Sequence, residues 1–240
     1  VASSPTWVEI DAAVAPLPSR RVERVIGVTP TLPIMRIDTA GVVIPAPAVG
    51  TYINATIEID SNGSGRPGLS LRPVQVTGHG NSTWTTPTDG DNTSQKNSLK
   101  VRFLSGQATE VLGMPADRSW RLLSNRLDLT LIRNWFALES MRRISEVWTP
   151  RSQFCEVYLN GVYQGLYQMT ESVRPGVDRL PVTLPSSGAT GLAGTGTFMM
   201  EINSRRVAEG EAGFATTITS TQIQYEDPDP PSASQITYLQ

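Results

Sequence analysis

Of the 20 basic residues in this 240-residue chain only two, Lys96 and Lys100, are lysines. They share one segment, Lys96-Asn97-Ser98-Leu99-Lys100-Val101-Arg102-Phe103. An ammonium is a compact charge on a flexible stem, whereas a guanidinium is a planar fork. Arginine everywhere else and lysine twice here points to a need for an ammonium as such. The plainer alternative is a solvated strand edge whose charge opposes aggregation. Upstream lies Gly78-His79-Gly80-Asn81-Ser82. Free backbone N–H groups in such a turn can cradle phosphate, although Gly-x-Gly is by itself no more than a tight turn. A glycine turn followed by a lysine strand is a phosphate-binding layout.

Other chemistries are poorly served. His79 is the only histidine, so neither a multi-histidine metal cluster nor a His-x-x-x-His helix can form. A Ser-His-Asp triad would have to recruit its base from inside the glycine turn. No Gly-x-Ser-x-Gly elbow is present. The single cysteine, Cys155, rules out an internal disulfide, and its place in an apolar strand marks it as a packed, inert thiol. A net charge of −2 gives no general attraction to nucleic acid or acidic membrane. No apolar run is long enough to span a bilayer. A start at Val1, without an initiator Met or a signal peptide, suggests a processed protein or a fragment.

The elements that must position these residues follow from composition and periodicity. With 20 Gly, 18 Pro and 39% hydrophobic residues, and a mean hydropathy of −0.17, the chain reads as a loop-rich globular protein of short strands. It is long enough to bury a sizeable core. Residues 1–30 are rich in Pro, Ala and Arg and read as an N-terminal extension. Strands are expected over Leu32–Asp38, over Tyr52–Asp60, where Ile53, Ala55, Ile57 and Ile59 alternate with polar residues, and from Val74 into the glycine turn. In Lys96–Phe103, Leu99, Val101 and Phe103 share one face, with Lys96, Ser98, Lys100 and Arg102 on the other. Asp128 is a good N-cap for a helix whose stripe Leu131, Trp135, Leu138 and Met141 should pack on the sheet. Phe154–Val173 reads as two strands around Asn160-Gly161, a pair that supplies the two positive φ angles of a tight hairpin turn. Residues 175–196 are loop-like and Thr197–Ile202 is a further strand. Glu226–Pro231 reads as an acidic linker or turn, and a helix should begin near Ser232.

The order of strand, glycine turn, lysine strand, helix, hairpin and linker is that of the small lobe of a protein kinase. The matching stretches are Leu32–Asp38, Gly80–Trp84, Lys96–Phe103, Leu112–Asn125, Asp128–Asn134, Glu156–Val173 and Thr197–Ile202. Together, across about residues 31–206, they resemble the CotH family, the spore coat protein H kinases with an atypical protein-kinase-like fold.

That resemblance implies an α+β fold: a kinase small-lobe-like twisted antiparallel sheet with one principal helix, then the irregular start of a second lobe. In domains it implies an extension over 1–30, a CotH-like small lobe over 31–174, and the start of a large lobe or an insert, apparently truncated, over 175–240. ATP with Mg or Mn is the implied cofactor. Lys96 or Lys100 would contact its phosphates, Lys96 being the better match to the family's first lysine. Gly80, Asn81 and Ser82 would form the phosphate-proximal loop, and Thr170, Glu171, Ser172 and Val173 the hinge against adenine, through backbone groups. Asp128, Arg133 and Asn134 match the family's helix-start motif, read as an N-cap and a buried polar clamp. Asp117 and Trp120 are read as structural.

Two departures bear on activity. Where the family usually carries Arg before Gly80-Asn81, this chain has His79, which removes a permanent charge. The family's catalytic and metal-binding aspartates follow the helix that should begin near Ser232, beyond Gln240, so no catalytic residue and no metal ligand is assigned. Three readings follow. One is the nucleotide-facing portion of a protein kinase acting on Ser/Thr of a surface or coat protein, inactive as this chain alone. The second is a non-catalytic structural or adhesive module of a cell surface, spore coat or virus particle. The third is a glycan-binding module, resting on exposed aromatics such as Trp84. The expected partner is a protein substrate or an assembly partner, with no nucleic acid and no membrane span. The expected location is extracellular, on a cell surface, or in a spore coat or virion, and the oligomeric state stays open.

Overall fold

Residues that alternate apolar and polar along the sequence alternate buried and accessible in space, and most of the strands so formed close on themselves. The computed structural model describes residues 6–8, 24–26, 31–47, 51–80, 84, 96–186, 188–191, 195–203, 207, 212–227 and 231–239. The chain divides into two compact units, Val1–Glu139 with Arg151–Ser172, and Ser140–Pro150 with Val173–Gln240.

In the first unit β1 (Thr6–Val8) and β2 (Arg24–Ile26) form an antiparallel pair. There follow β3 (Ile34–Asp38), β4 (Ile53–Asp60), β5 (Leu69–Gly78) and β6 (Leu99–Phe103). A short hairpin of β7 (Thr109–Val111) and β8 (Met114–Asp117) precedes β9 (Ser119–Leu123), β10 (Ser152–Leu159) and β11 (Val162–Glu171). Seven strands close into a barrel in the order β10-β11-β9-β6-β5-β4-β3. Every neighbour in it is antiparallel except the closing pair, where β3 runs parallel to β10 with Met35 opposite Val157. Phe103, Trp120, Ile57, Val76, Val101 and Leu122 fill the core, each essentially fully buried. The hairpin joining β10 and β11 turns on Asn160 (φ 49°) and Gly161 (φ 77°), the left-handed pair that such a turn requires. The Asn160 side-chain oxygen also accepts the Thr39 N–H at 2.8 Å, tying the turn to the end of β3.

This closed barrel corrects the expected fold. A kinase small-lobe-like twisted antiparallel sheet with one principal helix is not what forms. Helix α1 (Arg133–Ile144) has no buried residue. Of the expected stripe, Trp135 is 37% and Met141 45% exposed, while Leu131 lies before the helix with φ 59°. The physical reason is β9. Ser119–Leu123, only five residues long, inserts between β6 and β11 and allows closure. A closed barrel packs its apolar residues against one another, so it needs no helix as a lid. Leu99 and Phe103 are buried as alternation requires, but inside the barrel.

The second unit contains a three-stranded antiparallel sheet, ordered β12 (Met199–Ile202), β14 (Gln222–Asp227), β13 (Gly213–Ala215). Glu226 and Asp227 therefore end a strand; residues 228–230 of the acidic run lie outside the described residues. Helix α2 (Ala233–Leu239) begins where expected. Its start is a reciprocal capping box: Gln235 donates its backbone N–H to Ser232 Oγ (3.2 Å), and Ser232 donates its own to Gln235 Oε1 (2.7 Å).

Candidate functional site

The glycine turn is fastened to the lysine segment through one carbonyl. Ser98 O accepts the His79 N–H at 2.8 Å and the Trp84 indole N–H at 2.9 Å. Gly78 donates its own N–H to Pro45 O at 2.9 Å. Two of the N–H groups expected to be free for phosphate are thus already engaged. A Cβ on Gly78 would lie 2.7 Å from Pro47 Cδ and 2.8 Å from Trp84 Cε2, so this glycine answers a packing need. Gly80 is exposed with φ 83°; Asn81 and Ser82 lie outside the described residues. Trp84 is half-buried and packs against the core, so it offers no exposed platform for a sugar.

Lys96 sits by the first half of β11. Its ammonium lies 5.0 Å from the centre of the Tyr167 ring, and its Cε and Nζ come within 3.8 and 3.9 Å of where a Gly165 Cβ would be. Those are ordinary van der Waals distances, and what favours glycine at position 165 is its φ of 89°. Partial burial holds the Lys96 pKa below the ordinary lysine value. Tyr167 donates its hydroxyl to Asn97 O at 3.1 Å.

Lys100 occupies a different face. It lies opposite Thr77 on β5 and opposite Arg121 on β9, and Arg121 in turn lies opposite Thr170 on β11. Directly paired residues point the same way. The four side chains thus form one row across four strands, on the face away from Val76, Val101 and Trp120. Arg121 Nη1 donates to Ser172 Oγ at 2.9 Å. The row brings Lys100 together with Thr170 and Ser172 of the expected hinge. Lys96 is not part of it: Tyr167 and Thr170 are three residues apart on a strand that rises about 3.3 Å per residue.

Within the expected hinge, Thr170, Glu171 and Ser172 are buried and Val173 is 55% exposed. The Glu171 N–H donates to Arg151 O at 3.1 Å, and its carboxylate is paired with Arg151 at 2.7 Å. Thr170 donates its hydroxyl to Arg151 O at 3.1 Å.

The helix-start motif is structural. Asp128 does not immediately precede α1, which begins five residues later, yet its Oδ2 accepts the Arg133 N–H at 2.8 Å. Its Oδ1 accepts the Thr130 hydroxyl at 2.6 Å. That hydroxyl bond, foremost, with the backbone donors of Arg133 and Thr130, keeps the carboxyl below its usual pKa. Asn134 donates to Asn125 Oδ1 (2.8 Å), Asn125 to Gln168 Oε1 (2.9 Å), and Gln168 to Ser152 Oγ (2.8 Å). This chain of amides satisfies the fully buried Gln168 and joins the start of α1 to β11 and β10. Trp120 is fully buried and donates its indole N–H to Asp117 O at 3.1 Å; Asp117 Oδ1 accepts the Ser119 N–H at 2.8 Å.

Arg121 and Thr77 were missed in the sequence. Trp120 and Leu122 flank Arg121 as an apolar pair at period two, a strand signal that would have put Arg121 on the face opposite the core. Among the described residues no group of three or more His, Cys, Asp and Glu is placed to hold a metal ion, and no helix is long and apolar enough to cross a membrane.

No curated protein matches the chain. The family described as "CotH kinase protein" matches residues 76–204, taking in the glycine turn, the lysine strand, β9, the helix-start motif and the β10–β11 hairpin. The stretch Leu32–Asp38 lies outside that match. More than half of the 240 residues are covered, and the chain belongs to the CotH family.

Proposed function

We propose that the chain is the nucleotide-facing portion of a CotH-like protein kinase that uses ATP, with Mg or Mn, to phosphorylate Ser or Thr of a surface or coat protein. The observation that supports it most is the register placing Lys100 and the Thr170–Ser172 segment on one face, one strand apart across Arg121. Cationic side chains gathered on one face suit a polyphosphate. Lys96 and Gly80 are the remaining candidates on the phosphate side. The divalent ion would neutralise phosphate charge when bound; its ligands are not found among the described carboxylates, and no step is assigned to it. The expected setting is outside the cell, on a cell surface, spore coat or virion.

A second reading, a non-catalytic structural or adhesive module, is favoured by the Gly78 and His79 N–H groups being engaged with carbonyls and by Glu171 being sealed by Arg151. Calorimetric titration of the chain with ATP and Mg, followed by incubation with labelled ATP and a Ser-rich acceptor, separates the two. ATP binding supports the nucleotide reading. Absence of both binding and labelling turns the assignment to the structural module.

A further inference from the structure

The Asn160-Gly161 turn sets Leu159 opposite Val162 and Tyr158 opposite Tyr163. Gln164 is then the extra residue of a bulge, beyond which Val157 faces Gly165. The ladder from Val157 and Gly165, if unbroken, would set Tyr158 against Gln164, so turn and bulge together make a tyrosine pair at the hairpin tip. The two rings lie 5.2 Å apart, centre to centre, tilted by 50°, within the range of direct aromatic contact. Tyr163 is 51% exposed and Tyr158 half-buried. A cross-strand aromatic pair steadies a hairpin, but this one also carries a proton acceptor. The Tyr163 hydroxyl donates to the Glu156 carboxylate. Partial burial, foremost, and the charge of Glu156 raise the Tyr163 pKa above its ordinary value, so at neutral pH the phenol keeps its proton. A protonated phenol gives up an electron readily only when its proton leaves with it, and Glu156 is placed to take that proton. The other ring contacts of tyrosines, Tyr225 with Phe214 and Tyr238 with Phe198, have a phenylalanine as partner, which forms no phenoxyl radical.

We propose that Tyr158 and Tyr163 are a site of oxidative modification, joined ring to ring as a dityrosine by a one-electron oxidant such as a haem peroxidase with hydrogen peroxide. Each phenol loses one electron and one proton, that of Tyr163 going to Glu156. The two phenoxyl radicals pair their electrons in a carbon–carbon bond between ring positions ortho to the oxygens. Each ortho carbon then gives up its hydrogen as a proton, and both hydroxyls are restored. The chain becomes two hydrogens lighter, and one hydrogen peroxide becomes two waters. The new bond staples β10 to β11 beside the β3–β10 pair that closes the barrel, and it is independent of any nucleotide.

The test is treatment of the full chain, dilute and folded, with a haem peroxidase and hydrogen peroxide, read by gel electrophoresis, dityrosine fluorescence and peptide mass. Trypsin releases residues 152–174 as one peptide, because no Lys or Arg lies between Arg151 and Arg174. The chain should stay monomeric, fluoresce as dityrosine, and yield this peptide two hydrogens lighter. Tyr158→Phe and Tyr163→Phe should each abolish that product, with thermal melts confirming that both variants are folded. Tyr238→Phe, which removes a 55% exposed tyrosine outside the hairpin, should leave it unchanged. Glu156→Gln, which keeps an acceptor oxygen and loses the base, should slow its formation by about tenfold or more. Dityrosine confined to dimers, or a 152–174 peptide that keeps its mass, overturns the site. So does a product that survives Tyr158→Phe. Glu156→Gln reacting as fast as the parent overturns the role given to Glu156.

Discussion

Arg151 holds Glu171 by three bonds: its backbone N–H meets Oε2 at 2.7 Å, and Nε and Nη2 meet Oε1 at 2.9 and 2.7 Å. The Glu171 side chain is fully buried, whereas that of Arg151 is 31% exposed. Glu171 lies opposite Trp120 in the ladder, at the end of β11, so its carboxylate is directed to the barrel end and not to the row of Lys100 and Arg121. A buried carboxylate is tolerable only when both oxygens are answered, as they are here.

Removing one partner of such a pair should be costly. Glu171→Ala is expected to lower stability by about 3–5 kcal/mol, since Arg151 then keeps a partly buried charge with no counterpart. Urea denaturation followed by circular dichroism reads this directly. A loss below about 1 kcal/mol, the range of exposed pairs, would show that the carboxylate is not integral to the fold.

Gly78 offers a sharper steric test. Its φ is not in the left-handed region, so alanine brings no backbone strain, but the added methyl would meet Pro47 N at 2.8 Å and Trp84 Cε2 at 2.8 Å. Overpacking of this kind costs about 1–3 kcal/mol. Gly80→Ala serves as the contrast, because Gly80 is exposed and its φ of 83° imposes a conformational cost. A Gly78→Ala protein as stable as the parent would mean that Trp84 does not pack there.

The legible parts of this fold were those with a local signature. Alternation gave β4 and β6 with their buried faces, and Asn160-Gly161 gave the hairpin, because period two and positive φ are properties of neighbouring residues. Closure is not local. Nothing near Met35 announces that it will pair in parallel with Val157 more than a hundred residues later, and without that contact an open sheet needs a cover, which the apolar stripe Leu131, Trp135, Leu138 and Met141 seemed fit to provide. The candidate site divided in the same way. Gly80 and the two lysines stand out by residue type, but the separation of Lys96 from Lys100 depends on cross-strand register. Arg121 is one arginine among many until β9 places it between Lys100 and Thr170.

Lys96 yields a prediction with a pH signature. Its ammonium is half-buried over the Tyr167 ring, an interaction of about 0.5–1 kcal/mol at exposed sites, while burial lowers its pKa. The lowered folded pKa means that the folded state disfavours the charge. That penalty is full below the folded pKa and fades as pH rises towards 10.5, the unfolded value. Lys96→Met keeps an apolar stem and removes the charge, so it should be as stable as the parent or more so at pH 7. Its advantage should shrink as pH rises from 7 towards 10.5. Melting both proteins across this range checks the claim; an advantage that grows with pH would reverse the sign and discard it.

Cys155 gives the last and most direct prediction. It is fully buried in the barrel, opposite Tyr167 on the neighbouring strand, and burial pushes its thiol up from 9.0 to about 12. Only a thiolate attacks a disulfide reagent, so the native protein should not react with an aromatic disulfide at pH 8, and one equivalent should appear once urea unfolds it. The same shift sets a stability slope. Between pH 9 and about 12 the unfolded thiol has lost its proton while the folded one has kept it, so the unfolded state binds fewer protons and stability falls as pH rises. This group alone contributes a slope of up to about 1.4 kcal/mol per pH unit, and Tyr167, also raised foremost by burial, acts in the same direction at higher pH. In Cys155→Ala the slope between pH 9 and 11 should be shallower than in the parent, whatever the cost of the small cavity. Identical slopes, or rapid labelling of the native thiol, would place Cys155 in contact with water and contradict its position in the core.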